Sequence, residues 1–202
     1  MVATAQVEVR SRAVVAATKL FAAQGFDATS VQAVADEVGV TKQAVLHHFP
    51  SKDHLRHAVL DAIMAHWNET LPRLLLATAS SDRFDGVFGE LHRFFASAPD
   101  RALVVLREAL DRPAEMKKLL RTSVRPWLTA VAGYIDAGRE SGAHYEDVDA
   151  EAYVTIILQM VIASAASASV MSTLIDRERY GRELRRIARA SLFAKPPRKK
   201  KS

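Results

Sequence analysis

Thr41-Lys42-Gln43-Ala44 follows directly on Gly39-Val40, and the run continues through His47, His48 and Phe49. The amide of Gln43 donates and accepts at once, so it can meet the edge of adenine, or of another base, with two hydrogen bonds. Ala44 offers a methyl group that can touch the methyl of thymine. Thr41, Lys42, His47 and Lys52 can donate to phosphate oxygens. Lys52 also stands where a new helix begins, and the free backbone N–H groups of such a terminus favour an anion. These contacts act together only if one short helix presents them to a groove.

The elements that must position this helix are legible on either side. Ala13, Val14, Ala17, Leu20 and Phe21 recur at steps of three and four, the spacing of one helix face, and Gly25 stops that helix. Val31, Val34, Ala35 and Val38 repeat the pattern over a shorter stretch. Thr29 and Gln32 form a capping box for its start, and Gly39 ends it. Thr41 caps a third helix, Lys42 to His48. Pro50-Ser51 breaks it, and Ser51 caps a fourth helix through Leu55, Val59, Ile63 and Trp67. Two helices joined by a tight glycine turn form a helix-turn-helix. The second of the pair fits the major groove while the first braces it. Val34, Ala35, Val38, Val40, Val45 and Phe49 are its expected core, with Leu20 and Phe21.

The rest of the chain also reads as helices, with breaks expected near Ser80–Asp82, Ala98–Pro99, Arg112–Pro113, Gly138–Gly142 and Gly181. No stretch alternates as a strand does, so the fold class is all-α. The 202 residues fit one or two domains and can bury a sizeable core. There is no cysteine, which excludes a disulfide scaffold, a thiolate metal site and a cysteine nucleophile. The start, Met1-Val2-Ala3-Thr4, lacks the basic and apolar pattern of a secretory signal, and a cytoplasmic protein is expected. The net charge of +5 resides in the tail, where Lys195, Arg198, Lys199, Lys200 and Lys201 carry no acidic partner. Bulk charge therefore does not announce a nucleic-acid binder, and the case rests on particular residues. The tail, 195–202, reads as disordered and is either a DNA-binding arm or a solubilising end.

The residues Ala17-Thr18-Lys19-Leu20-Phe21, Gly25-Phe26, Thr29-Ser30-Val31, Val34-Ala35, Gly39-Val40-Thr41-Lys42, His47-His48-Phe49 and Ser51-Lys52 with Leu55 resemble the N-terminal domain of TetR-family transcriptional regulators. The resemblance covers about residues 10–58. It implies a helix-turn-helix DNA-binding domain at 8–58 and a helical effector-binding and dimerisation domain at 59–194. The implied contacts with double-stranded DNA are Thr29, Ser30, Thr41, Lys42, Gln43, Ala44, His47 and Lys52. Leu46 stands where the family usually has a tyrosine that contacts a phosphate. Leucine cannot donate, so that role passes to His47 and Lys52, while Leu46 keeps apolar contact with sugar or a base methyl. His48 occupies a position that is often aromatic. The resemblance further implies a homodimer through helices at about 148–174 and 180–193, a palindromic operator, repression, and a small-molecule effector. It calls for no cofactor or metal and for no catalysis.

Several features have two readings. Phe84, Phe88, Leu91 and Phe95 form a helical stripe that Trp67, Trp127, Tyr134 and Met160 can face. It is core packing, or it is an effector pocket with His92, Arg107 or Tyr134 as polar anchors. Arg182, Arg185, Arg186 and Arg189 are a solvated face or part of the dimer interface. His47, His48, His54, His57 and His66 are surface histidines, or a histidine-rich site of a helical enzyme or zinc protein, although no carboxylate or cysteine completes a ligand set. The enzyme reading finds no glycine-rich phosphate loop and no nucleophile–base pair. Tyr153 to Ile175 has no charge over 23 residues, a length that can span a bilayer. Its serines, threonines and Gln159 favour a helix buried in a bundle.

Overall fold

The computed structural model describes residues 2–78 and 83–193, and among them every regular element is a helix. Helix α1 (Val2–Gln24) stops at Gly25, which adopts φ +85° and donates its N–H to the Phe21 carbonyl at 3.0 Å. Helix α2 (Val31–Val38) is capped by Ser30, whose hydroxyl accepts from Ala33 N. The expected capping box therefore does not form, since the cap is Ser30 and the residue three on, Ala33, has no side chain to reach back. Thr29 instead buries its hydroxyl against the Gly25 carbonyl, and the Gln32 amide turns outward to Asp36. Gly39, at φ +77°, closes α2 in the left-handed conformation that glycine adopts without a Cβ clash. Helix α3 (Lys42–His48) begins on Thr41, and α4 (Lys52–Thr78) begins on Ser51, whose hydroxyl accepts from His54 N at 3.2 Å.

The remaining helices are α5 (Arg83–Ala96), α6 (Pro99–Asp111), α7 (Pro113–Leu119), α8 (Arg125–Glu140), α9 (Ala150–Ala166), α10 (Ala168–Met171) and α11 (Arg177–Ala190). Proline opens α6 and α7, where its missing N–H costs nothing. A π-helical turn, Leu120–Val124, joins α7 to α8 just ahead of Pro126. There the Arg125 N–H bonds to the Leu120 carbonyl, five residues back.

Three boundaries depart from the sequence reading. Gly181 does not break a helix but lies inside α11, because Asp176 caps that helix five residues earlier. A Cβ at Gly181 would meet the His92 ring of α5 in ordinary contact, at 3.4 Å. The apolar stretch at 148–174 is not one helix, for it stops at Ala166 and resumes as the single turn of α10. Helix α11 spans 177–190 rather than 180–193. No helix among the described residues is long and apolar enough to cross a membrane. The break at Ser80–Asp82 and the basic tail at 195–202 lie outside the described residues.

Two apolar cores result. The first joins Ala13, Ala17 and Phe21 of α1 to Val34, Ala35 and Val38 of α2, Val45 and Phe49 around α3, and Leu55, Val59 and Ile63 of α4. The second gathers Trp67, Phe84, Phe88, Leu91, Phe94, Phe95, Trp127, Ile135, Val154, Ile157 and Val161. Helix α4 belongs to both, with Ile63 in the first and Trp67 one turn on in the second. Helix α6 does the same through Val104 and Ala102.

Candidate nucleic-acid interface

Val45 sets the orientation of α3. Its side chain is fully buried against α1 and α2, and Phe49 follows it into the same core. A helix pinned at Val45 must turn the preceding residues outward, and Thr41, Lys42 and Gln43 are all exposed. Thr41 fixes the start of the helix, its hydroxyl accepting from Ala44 N at 3.2 Å. Loss of such a cap costs about 1 kcal/mol. Ala44 is half-buried beside these residues and His47 is exposed one turn on. Leu46 and His48 are half-buried, and the His48 ring meets His47 edge-on at 5.4 Å.

The turn ahead of α3 is braced from below. Gly39 N donates to the carbonyls of Ala35 and Asp36, and Val40 N donates to Ala35, so α2 ends in a closed hydrogen-bonded loop. Arg12 of α1 donates to the Val38 carbonyl, satisfying one of the last acceptors of α2. Arg10 lies over the Phe49 ring, 5.3 Å from its centroid. Neither arginine was singled out by the sequence reading. Their signal was positional, since both fall on the helix that supplies the core around α2 and α3.

The expected contact residues divide. Thr41, Lys42, Gln43 and His47 are exposed on α3 with Ala44 half-buried among them, and Ser30 is exposed at the start of α2. Thr29 does not join them, for it is 1% exposed and its hydroxyl closes the loop between α1 and α2. Lys52 is half-buried, its ammonium donating to the Asp27 carbonyl at 3.2 Å and lying 4.2 Å from the Phe26 ring centroid. One of its three donors is thus already engaged.

The expected pocket residues scatter over several places. Phe88, Trp127 and Tyr134 line an apolar cavity between α5, α8 and α9. Trp67 and Phe95 line a second, against α4, α7 and the π turn. Met160 packs on the core without lining either. His92 faces a separate crevice with Met171 and Tyr180, where burial, Arg185 and Arg93 hold its pKa below the ordinary histidine value. Arg107 is not a pocket residue, because its guanidinium donates to the carbonyls of Ala22 and Ala23 at the end of α1.

The arginines of α11 are exposed, and three of them form ion pairs, Arg182 with Glu178, Arg186 with Glu183, and Arg189 with Asp85 of α5. The histidines of α4 are also accounted for. His54 contacts Ser51, His57 lies 3.6 Å from Glu115, and His66 stacks on Phe94. No group of three His, Asp or Glu among the described residues is placed to hold a metal ion.

Comparison with known proteins agrees with this geometry. Residues 13–59 match the family model described as bacterial regulatory proteins, tetR family. The HTH-type transcriptional repressor Rv3405c of Mycobacterium tuberculosis is 37% identical over 95 residues, which is 47% of this chain and 48% of that protein. The chain thus aligns over about half the length of the curated relatives it matches. The likeness of fold is wider. A bacterial regulatory protein in the tetR family from Rhodococcus RHA1 superimposes with a TM-score of 0.77 at 20% identity, over 93% of this chain and 98% of that one. The ketosteroid transcriptional regulator KstR2 of Mycobacterium tuberculosis does so with a TM-score of 0.71 at 17% identity, over 92% and 95%. A capped third helix braced on α1 and α2 and the match at 13–59 identify that stretch as a tetR-family helix-turn-helix domain, and the all-helical fold around it is similar to that of solved tetR-family regulators.

Proposed function

We propose that this chain is a homodimeric, ligand-responsive repressor that works in the cytoplasm and acts by binding, not by catalysis. Residues 8–58 form the DNA-binding unit and 59–194 the effector and dimerisation unit. The observation that carries the reading is the exposed first turn of α3, where Lys42 and Gln43 follow the Thr41 cap while Val45 is locked in the core. In a major groove Gln43 reads a base edge and Ala44 touches a thymine methyl. Ser30, Thr41, Lys42, His47 and the remaining donors of Lys52 hold phosphates.

The partner is a second copy of the chain. Ile156, Val170, Leu174 and Ile187 leave much of their apolar surface exposed on α9 to α11. We take these exposed apolar side chains on successive elements as the association surface. Two-fold symmetry then sets two α3 helices on a palindrome, their centres about 34–36 Å apart or a multiple of it. An effector bound in the second core is sensed at the groove through α4 and α6, which each contribute to both cores. Such a ligand acts by binding one separation of the two DNA-binding units better than the other.

The test is selection of duplexes from a random pool by the full chain, followed by a salt titration of the winning sequence. Enrichment of a palindrome whose affinity falls steeply with salt is expected. Failure to enrich any sequence overturns the proposal.

A further inference from the structure

His92 of α5 faces Gly181 of α11, where a Cβ would lie 3.4 Å from its Nε2. Arg177, Gly181 and Arg185 follow one another at four-residue steps, so they share one face of α11. The two arginines therefore stand on either side of the contact with His92, about 12 Å apart along the helix axis. Neither pairs with a carboxylate among the described residues, whereas Arg182, Arg186 and Arg189 all do. Arg185 lies over the Phe88 ring, 5.9 Å from its centroid.

Beside this contact is a crevice of about 40 Å³, lined by His92, Ala168, Met171, Ile175, Arg177 and Tyr180 among others. None of these six belongs to either apolar core, so the crevice is separate from the enclosed spaces of the second core. Its wall is of two kinds. His92, Arg177 and Tyr180 supply N–H and O–H donors, and their side chains form no hydrogen bond or ion pair with the described residues. Ala168, Met171 and Ile175 supply apolar surface. Arg177 is the one charged residue of the lining, and no carboxylate lines the crevice. The charges that bear on the His92 ring are likewise cations, Arg185 and Arg93, and they add to burial in holding its pKa low. A guanidinium, a phenol and a neutral imidazole with no acid among them suit an anion. The apolar half of the wall suits a hydrocarbon tail.

We propose that this crevice between α5, α10 and α11 is a second ligand site, and that it takes a small amphipathic carboxylate. The head accepts from Arg177, with His92 and Tyr180 as further donors, and the tail covers Ala168, Met171 and Ile175. The site is separate from any effector in the second core, and either reading can fail without the other. An alkylammonium of the same length is disfavoured, since it would meet Arg177 with no acid to offset the repulsion. An alcohol fits the space but gains no charge-assisted hydrogen bond.

The test titrates the full chain, in its assembled form, with hexanoate, 1-hexanol, hexylammonium and acetate. Calorimetry reads affinity, and the ring signals of His92 in NMR report on the crevice itself. Hexanoate should bind about ten-fold tighter than hexanol, the share of one charge-assisted hydrogen bond at an open site. Acetate, which has the head without the tail, should bind about ten-fold weaker than hexanoate or less. Hexylammonium should not bind at millimolar concentration. Hexanoate should also move the His92 signals and raise the pH at which they titrate, because a bound anion favours the imidazolium. Arg177→Gln should bring hexanoate to the affinity of hexanol and leave hexanol unchanged. Arg177 is exposed and unpaired, so this variant should keep its helical circular dichroism; if it does not, the wild-type ranking decides alone. Hexanoate bound no better than hexanol or acetate, a preference for hexylammonium, or no binding of hexanoate at millimolar concentration overturns the proposal. Binding of hexanoate that leaves the His92 signals unmoved overturns it too, by placing the ligand elsewhere.

Discussion

Arg56 of α4 donates to the carboxylate of Glu108 of α6 at 2.7 Å, and both side chains are buried. The same guanidinium donates to Glu115 of α7 at 2.6 Å and lies over the Phe26 ring at 5.7 Å. Arg112, which follows α6, sits on the other approach to that ring, 4.4 Å away, and reaches Asp27 at 3.3 Å. The loop that precedes the helix-turn-helix is thus held by cations from α4 and from the end of α6. Burial pulls the Arg56 pKa down, but hydrogen bonds and charge from Glu115 and Glu108 more than offset it, so the group stays charged. Arg56→Met should lower unfolding stability by up to about 3–5 kcal/mol, because buried Glu108 is left with only the longer contact to Arg112, at 3.7 Å, to offset its charge. The double change with Glu108→Met should recover much of the loss. Urea denaturation of the three proteins measures both values, and a single variant as stable as wild type refutes the link.

Much of the DNA-binding unit could be read from the sequence because its signals are local. Gly25, Gly39 and Thr41 act on their immediate neighbours, and the core residues of α2 follow helical spacing. Thr29 and Ser30 illustrate the limit of that reading. Both are good capping residues, and only the Gly25 carbonyl, brought in by the preceding turn, decides between them. The helices after α4 are less legible because their pairings are distant in sequence. Arg107 satisfies carbonyls of α1 more than eighty residues away, which no periodicity reveals. Gly181 reads as a break, and only the Asp176 cap, which starts α11 ahead of it, sets it inside a helix.

Gln43 and Lys42 should separate base recognition from phosphate attraction. Gln43→Ala removes the only amide on the exposed turn of α3, so discrimination at one base pair should fall by about 1–3 kcal/mol. Affinity for unrelated duplexes should barely change. Lys42→Ala should weaken binding to all sequences alike and reduce the salt slope by about one counterion. Competition binding on single-base operator variants, at several salt concentrations, distinguishes the two patterns.

His92 should make stability fall in mild acid. Burial is the main cause of its lowered pKa, with the charges of Arg185 and Arg93 adding to it. The unfolded chain therefore takes up this proton first as pH drops. The contribution of His92 is fully present above its ordinary value of 6.5 and is lost as pH falls below it toward the folded value. Replacing His92 by Phe should flatten that part of the profile, which thermal unfolding between pH 7.5 and 5 would show. An unchanged slope would place the acid sensitivity elsewhere.

Gly138 is a packing requirement that its helical position conceals. A Cβ there would fall about 2 Å from the ring of His144, which is buried and held to the Ile135 carbonyl at 2.9 Å. The ring has no room to retreat, since it packs edge-on against Phe193 at 4.9 Å and Tyr134 at 5.4 Å. In an open helix Gly→Ala would stabilise, but here Gly138→Ala should cost about 1–3 kcal/mol or more. Gly133, on the same helix with nothing within 4 Å of its Cβ position, is the control and should gain stability as alanine. Thermal melts of the two variants must move in opposite directions.

The apolar surface of α9 to α11 makes the oligomeric state a direct test of the proposed assembly. Leu174 is 80% exposed and Ile187 44%, a costly arrangement for a chain that works alone. If a second copy covers them, Leu174→Asp with Ile187→Asp places two carboxylates in each half of a symmetric interface, where they repel across the two-fold axis. The variant should sediment as a folded monomer, with its helical circular dichroism retained. A monomer engages one half-site, so its affinity for the selected palindrome should fall by more than ten-fold while contact with non-specific duplex remains. Dimers that survive both substitutions would move the interface to another face of the protein.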